Sequence, residues 1–244
     1  MFFINLIVQL FIQFVDLYYI VIFLTNAKMK SSIIKKISMA LSGLFLVIFL
    51  AQHLAINLTS IIPDGGKTFN TISHFMGYNP VVQFILQPIL IFGVCFHFIM
   101  GFVLEYQNNQ ARNEKYIYHK TRSSWISKNM IITGLVILAF LGLHFYDFWV
   151  PEIEYKYISQ ESPDPLKYFH ELKEKFYGET IRTIIYCFSF ILLGMHLNHG
   201  LASSFQSIGV SSYRKKILKL AANIYSLIIS IGFISIAIFH YFIH

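Results

Sequence analysis

Five runs of apolar residues, separated by shorter polar stretches, dominate the chain. They extend from about Ile37 to Ser60, Val82 to Tyr106, Met130 to Trp149, Thr180 to Ser204 and Leu218 to Phe242. Runs of about 20 apolar residues match the thickness of a bilayer's hydrocarbon core. In lipid each backbone N–H and C=O must be paired internally, so each run is predicted to be a spanning helix. Pro88 falls in the first turns of the second run, where it either kinks the helix or marks its true start. Trp125 and Trp149 flank the third run as interfacial anchors do. The predicted fold is an all-α integral membrane protein, with a five-helix bundle over residues 29–244. Residues 1–27 are also apolar but are interrupted by Asn5, Gln9, Gln13 and Asp16. A sixth span, an uncleaved signal-like segment and translated upstream sequence preceding a start at Met29 all fit this pattern. The segment has neither a positive n-region nor a small-residue cleavage site. Residues 1–28 are therefore set apart as an extension to the core, with the upstream-sequence reading preferred.

Composition agrees. Of 244 residues, 56% are hydrophobic and 13% charged, against roughly 25% charged in soluble domains. The net charge of +7 does not indicate nucleic acid, because the cations sit in short runs between apolar segments and form no basic stripe with interleaved aromatics. Cys95 and Cys187 lie inside apolar runs and read as small packing residues, with no disulfide framework. The basic runs are Lys28, Lys30, Lys35 and Lys36; Arg112, Lys115, Lys120, Arg122 and Lys128; and Arg214, Lys215 and Lys216. With five spans they all fall on one side, while loop 61–80 carries only Lys67 and Asp64 and loop 150–179 is acidic overall. Lys/Arg-rich loops stay cytoplasmic, so the core is expected to begin in the cytoplasm and end outside. No internal repeat is evident. Nucleophile constellations, phosphate-binding glycine loops and flavin motifs are absent from the sequence.

Histidines carry the chemistry. Each of the first four runs holds one well inside it: His53, His97, His144 and His196. An ionisable residue within a membrane span marks a functional site by default. At about 1.5 Å per residue, His53 and His144 lie ~24 and ~21 Å from the cytoplasmic ends of their helices. His97 and His196, on helices running the other way, lie ~12–14 Å from that side. The four therefore sort into an outer pair, from helices one and three, and an inner pair, from helices two and four. Two imidazoles on facing helices can clamp one haem iron axially, as bundle-core cofactor sites do. Two such pairs predict two haems b stacked across the bilayer. A single buried histidine more often makes an interhelical hydrogen bond, but four at matched depths favour ligation. Zinc is disfavoured, because no carboxylate or thiolate closes a site at those depths. His199, three residues after His196, rivals it as ligand. His74, His119, His170, His240 and His244 read as surface or interfacial residues.

The runs KKISMALSGLFLVIFLAQHLAINLTS (35–60), FHFIMGFVLEYQNNQAR (96–112), LGLHFYDFW (141–149) and GMHLNHGLASSFQSIG (194–209) resemble, in order, the first four helices of a known family. This is the single-polypeptide, two-haem cytochrome b anchor of succinate dehydrogenase and fumarate reductase, of the type found in Bacteroidetes-like bacteria. The resemblance covers about residues 30–242. It implies a non-catalytic electron-transfer subunit in a bacterial cytoplasmic membrane. A flavoprotein and an iron–sulfur subunit would dock on its cytoplasmic face, and menaquinone would be its substrate. It assigns His97 and His196 to the inner haem and His53 and His144 to the outer. The glycine four residues after His196 favours that histidine over His199.

Quinone reduction takes up protons, which makes Asp147 and Glu105 candidate relays, although each reads more readily as a solvated helix-end charge. Arg182, Lys219, Ser38, Ser42 and Asn57 are candidate partners for haem propionates. Two rival readings stand beside this one. The first is the cytochrome b of another quinone-linked dehydrogenase or hydrogenase. The second is a haem-free transporter or structural protein, for which the inverted repeats common in transporters are lacking.

Overall fold

A computed structural model describes residues 32–112, 130–159, 164–210 and 214–243. The N-terminal extension, Trp125, His119, His244 and most of the second basic loop lie outside the described residues. Among the described residues the chain is helical throughout, with no strand. The helices are α1 (Ser32–Leu58), α2 (Lys67–Tyr78), α3 (Gln87–Arg112), α4 (Met130–His144, prolonged to Ser159), α5 (Lys167–Phe176), α6 (Thr180–Ser207) and α7 (Lys215–Phe242). Five of them, α1, α3, α4, α6 and α7, are long and apolar enough to cross a bilayer. The protein is a multi-pass membrane protein. Its outward faces are apolar: Ile48, Ile181 and Phe84 are 70%, 76% and 71% exposed, which only lipid accommodates.

α6 is the central helix. It packs extensively on α7 and also against α1 and α4, while α1 touches α3 and α7 as well. α3 and α4 meet lightly. The pairs α1/α4 and α3/α6 make little or no direct backbone contact. Helices α1, α3, α4 and α6 thus form a four-cornered bundle with these two pairs as its diagonals, and α7 closes one side. The α6–α7 seam is lined by small residues, which let backbones approach and gain van der Waals contact where lipid gives no hydrophobic drive. Ala222, Ser226 and Ser230 of α7 are all buried at four-residue spacing. The Ser230 hydroxyl crosses the seam to donate to the Phe190 carbonyl at 2.9 Å. Opposite them stands Gly194, where an added Cβ would lie 2.9 Å from the Ser230 Cβ.

Two prolines shape the long helices in the same way. A proline lacks the N–H of the helical ladder, and its ring crowds the carbonyl four residues back. Pro88 and Pro151 are each preceded, two residues earlier, by the end of a single π-helical turn, Val82–Leu86 and Phe145–Trp149. The wider turn relieves that crowding and lets the helix continue. The second span therefore begins before Pro88 and runs through it without a break, from Val82 to Gln110. The third span runs past the expected end at Trp149 to Ser159.

The stretches expected to be outer loops fold into a cap. α2 and α5 pack together and on the ends of α1 and α7. Glu152 is the hub: it accepts from Lys156 Nζ and Lys167 Nζ at 2.5 Å and from the Tyr168 hydroxyl at 2.7 Å. Burial opposes the ammonium of Lys167, but its bond to Glu152 and the nearby Glu171 outweigh this and raise its pKa. His240, expected from the sequence to be interfacial, is instead buried beneath this cap at 1% exposure. It lies against Phe169, with its Nε2 2.9 Å from the Ser60 hydroxyl.

The close approach at Gly194 yields a prediction. Gly194→Leu overpacks the α6–α7 seam at a cost of about 1–3 kcal/mol. Thermal unfolding of the detergent-solubilised protein will show a lowered midpoint, while Gly142→Ala, whose added Cβ meets nothing within 4 Å, will leave it nearly unchanged.

Candidate functional site

The four histidines occupy the two diagonals of the bundle. His53 on α1 faces His144 on α4 near the capped end, with ring centroids 5.9 Å apart and planes nearly perpendicular. Metal–imidazole nitrogen bonds are about 2 Å long, so two rings on opposite sides of one metal have centroids roughly 6 Å apart. The observed separation is also that of an ordinary edge-to-face ring contact. On the other diagonal, nearer the open end, His97 of α3 and His196 of α6 lie within electrostatic reach of one another. All four histidines are half-buried as residues, and Nδ1 of His144 is wholly buried.

Hydroxyls stand behind the open-end pair. The Ser42 hydroxyl donates to the Met39 carbonyl at 2.9 Å and lies 3.0 Å from His97 Nδ1. With its proton on that carbonyl the hydroxyl accepts from Nδ1–H, the tautomer that leaves the Nε2 lone pair free. The same logic holds at His196. Thr133 donates to the Met130 carbonyl at 2.9 Å and faces His196 Nδ1 at 3.1 Å. A histidine whose Nδ1–H is held by an outer acceptor, with Nε2 free, is in the state of a metal ligand.

Each of these hydroxyls is followed by a glycine that lies against the same imidazole. A Cβ on Gly43 would sit 3.3 Å from His97 Cε1, and one on Gly134 3.8 Å from His196 Cε1. The two helices share more than this. Ser42-Gly43-Leu44 on α1 and Thr133-Gly134-Leu135 on α4 are each followed, at the same spacing, by a phenylalanine (Phe49, Phe140) and then by the capped-end histidine. Both phenylalanines stack on the histidine one turn later, with centroids 5.4 and 5.9 Å apart. Helices α3 and α6 likewise share a glycine four residues after the histidine, Gly101 and Gly200. The sequence thus holds a degenerate repeat that is not evident without the fold. Each of α1 and α4 supplies an acceptor to the open-end level and, eleven residues or ~16 Å further on, a histidine to the capped-end level.

Asp147 departs from expectation. Its place in the sequence suggests a solvated helix-end charge, but the π-helical turn inserts a residue and rotates the downstream residues by about 100°. The helix then continues, and Asp147 is wholly buried. Its Oδ2 accepts from the Tyr186 hydroxyl at 2.7 Å and lies 3.5 Å from Arg182 Nε. Among the other residues singled out from the sequence, Ser42 serves His97, and Asn57 donates to the His53 carbonyl on its own helix. Glu105, Ser38 and His199 are half-buried, and Lys219 is exposed near the open end. His74 and His170 belong to the cap, beside Asp164. Cys95 and Cys187 are half-buried free thiols. Among the described residues no group of three or more histidine, cysteine or acidic side chains converges on one point.

Comparison of the chain with protein-family models, with curated proteins and with solved structures gave no match.

The hydroxyl acceptors can be tested directly. Thr133→Val keeps the shape and removes the acceptor, and Ser42→Ala does the same at His97. Each is expected to cost roughly 1 kcal/mol of stability, read as a lower unfolding midpoint in detergent, whereas Thr133→Ser will restore it.

Proposed function

We propose that this chain is the membrane-anchor cytochrome b of a succinate:quinone oxidoreductase, holding two haems b and passing electrons between an iron–sulfur subunit and menaquinone. The observation that carries the haem reading is the pairing of four histidines on two diagonals at two levels, with matched acceptors behind the open-end pair. Packing alone does not call for this arrangement.

The residues fit the group. Each pair offers two neutral imidazoles and no competing carboxylate ligand, which is the donor set of a six-coordinate haem iron. Phe49, Phe140, Phe148 and Phe233 surround the capped-end rings, an apolar wall suited to a porphyrin face. Gly43 and Gly134 keep side-chain bulk away from the open-end imidazoles. When bound, each haem supplies a one-electron site. The chain's own part is to hold the imidazoles, fix their protonation and keep water out. His97 and His196 would hold the inner haem, and His53 and His144 the outer. Dicarboxylate chemistry belongs to a partner flavoprotein.

Charge and resemblance give the orientation and the partners. The open end carries Lys35, Lys36, Arg214, Lys215 and Lys216, so it faces the cytoplasm of a bacterial inner membrane. The flavoprotein and iron–sulfur subunits would dock there. The folded cap would then lie outside, over the level at which menaquinone takes electrons.

Single substitution of any of the four histidines by alanine is expected to remove one of two haems per chain, by pyridine haemochrome quantitation of purified protein. Unchanged counts in all four variants would defeat the ligand assignment. In membranes from the native host, succinate is expected to reduce the haem that dithionite reduces. Dithionite-reducible haem that never responds to succinate would leave a cytochrome b serving another dehydrogenase or hydrogenase.

A further inference from the structure

Among the described residues only two buried side-chain atoms have no hydrogen-bond partner: Nδ1 of His144 and Oδ1 of Asp147. They stand three residues apart on α4, with Asp147 inside the π-helical turn Phe145–Trp149 that follows His144. One is an imidazole nitrogen and the other a carboxylate oxygen, a complementary pair when Nδ1 carries the proton. The rings around His144 are Phe140, Phe148, Tyr186 and His53, of which the phenylalanines offer no acceptor. Tyr186 spends its proton on Asp147 Oδ2 while its ring packs 6.4 Å from that of His144. Tyr186 thus meets both groups, its ring packing on the imidazole and its hydroxyl bonding the carboxylate. Arg182, 29% exposed, faces the same Oδ2 from the side nearer water. A wholly buried carboxylate is costly unless its charge is compensated, and its second oxygen is aimed at no protein donor.

We propose that Asp147 is a positioning residue for the capped-end centre: its free Oδ1 is the acceptor for the Nδ1–H of His144, reached by a small side-chain rotation or through one water, with Tyr186 and Arg182 holding it in place. This rests on the haem reading of the four histidines. It makes the two centres unlike. At the open end both imidazoles lean on neutral hydroxyls, Ser42 and Thr133. At the capped end one imidazole is backed by a carboxylate. A carboxylate acceptor raises the basicity of the ligating nitrogen and favours the oxidised, more positive iron. The capped-end midpoint potential is therefore held below the value that a neutral acceptor gives.

The test is a potentiometric titration of the purified full-length chain, followed optically and by electron paramagnetic resonance of the ferric haems. The capped-end component is assigned as the one missing in His144→Ala. Asp147→Asn is expected to retain two haems and to raise the capped-end midpoint. The rise should be at least tenfold in that one-electron equilibrium, ~59 mV, with altered g-values for that haem and no change at the other. Two retained haems with neither midpoint moved, or with both moved together, overturn the proposal. Should Asp147→Asn fail to fold because Arg182 is left unpaired, Asp147→Asn with Arg182→Gln removes both charges, and the same criteria apply. Absence of haem from the unsubstituted protein is a different failure: it defeats the haem reading itself, and this proposal with it.

Discussion

An imidazole inside a bilayer needs a partner for its N–H, and that requirement organises this bundle. Ser42 and Thr133 meet it at the open end. Each spends its own proton on the carbonyl three residues back, which leaves the oxygen able only to accept. That arrangement favours the Nδ1–H tautomer of the facing histidine. The free Nε2 must point elsewhere, and the diagonals supply the direction, because the helices that carry paired histidines barely touch. The other features serve this geometry. The small-residue seam of α6 and α7 anchors the central helix. The glycines after Ser42 and Thr133 clear space for the rings, and the shared eleven-residue step from those two hydroxyls to His53 and His144 builds the second level from the same two helices.

The prolines matter more than their number suggests. Each is preceded by a π-helical turn that carries its helix onward. In α4 that turn swings Asp147 from the expected solvent side into the protein and extends the span far enough for Glu152 to tie down the cap. The cap in turn buries His240 and covers the level where His53 faces His144. At one end the described residues form a folded, polar-clamped roof, and at the other they bear the basic residues Lys35, Lys36, Arg214, Lys215 and Lys216.

Much of this is legible in the sequence. Apolar run length gives the five spans, and helical rise alone sorts the histidines into the two pairs that the fold places on diagonals. What escapes has identifiable causes. Hydropathy falls at Trp149, and Pro151 ordinarily ends or kinks a helix, so both suggest that α4 ends there, whereas the π-helical turn Phe145–Trp149 lets it go on. The misleading position of Asp147 is a consequence. His240 is close to the chain's end, but its burial depends on α2 and α5 folding back, a tertiary event that no local pattern records. The repeat linking α1 and α4 rests on a few positions, Ser/Thr-Gly-Leu, Phe and His, scattered among interchangeable aliphatics. It gains meaning only once Ser42 is seen at His97 and Thr133 at His196. The resemblance to succinate dehydrogenase anchors draws on the apolar runs 35–60, 96–112, 141–149 and 194–209, and it alone supports the identity of the partner enzyme.

The central claim is that each histidine pair clamps one iron. Anomalous diffraction at the iron edge, on crystals of the protein purified with its native cofactors, tests it most directly. The account predicts two iron peaks per chain, one between His53 and His144 and the other between His97 and His196, separated chiefly along the bundle axis. Iron located elsewhere, or a well-ordered chain with no iron between either pair, would contradict it.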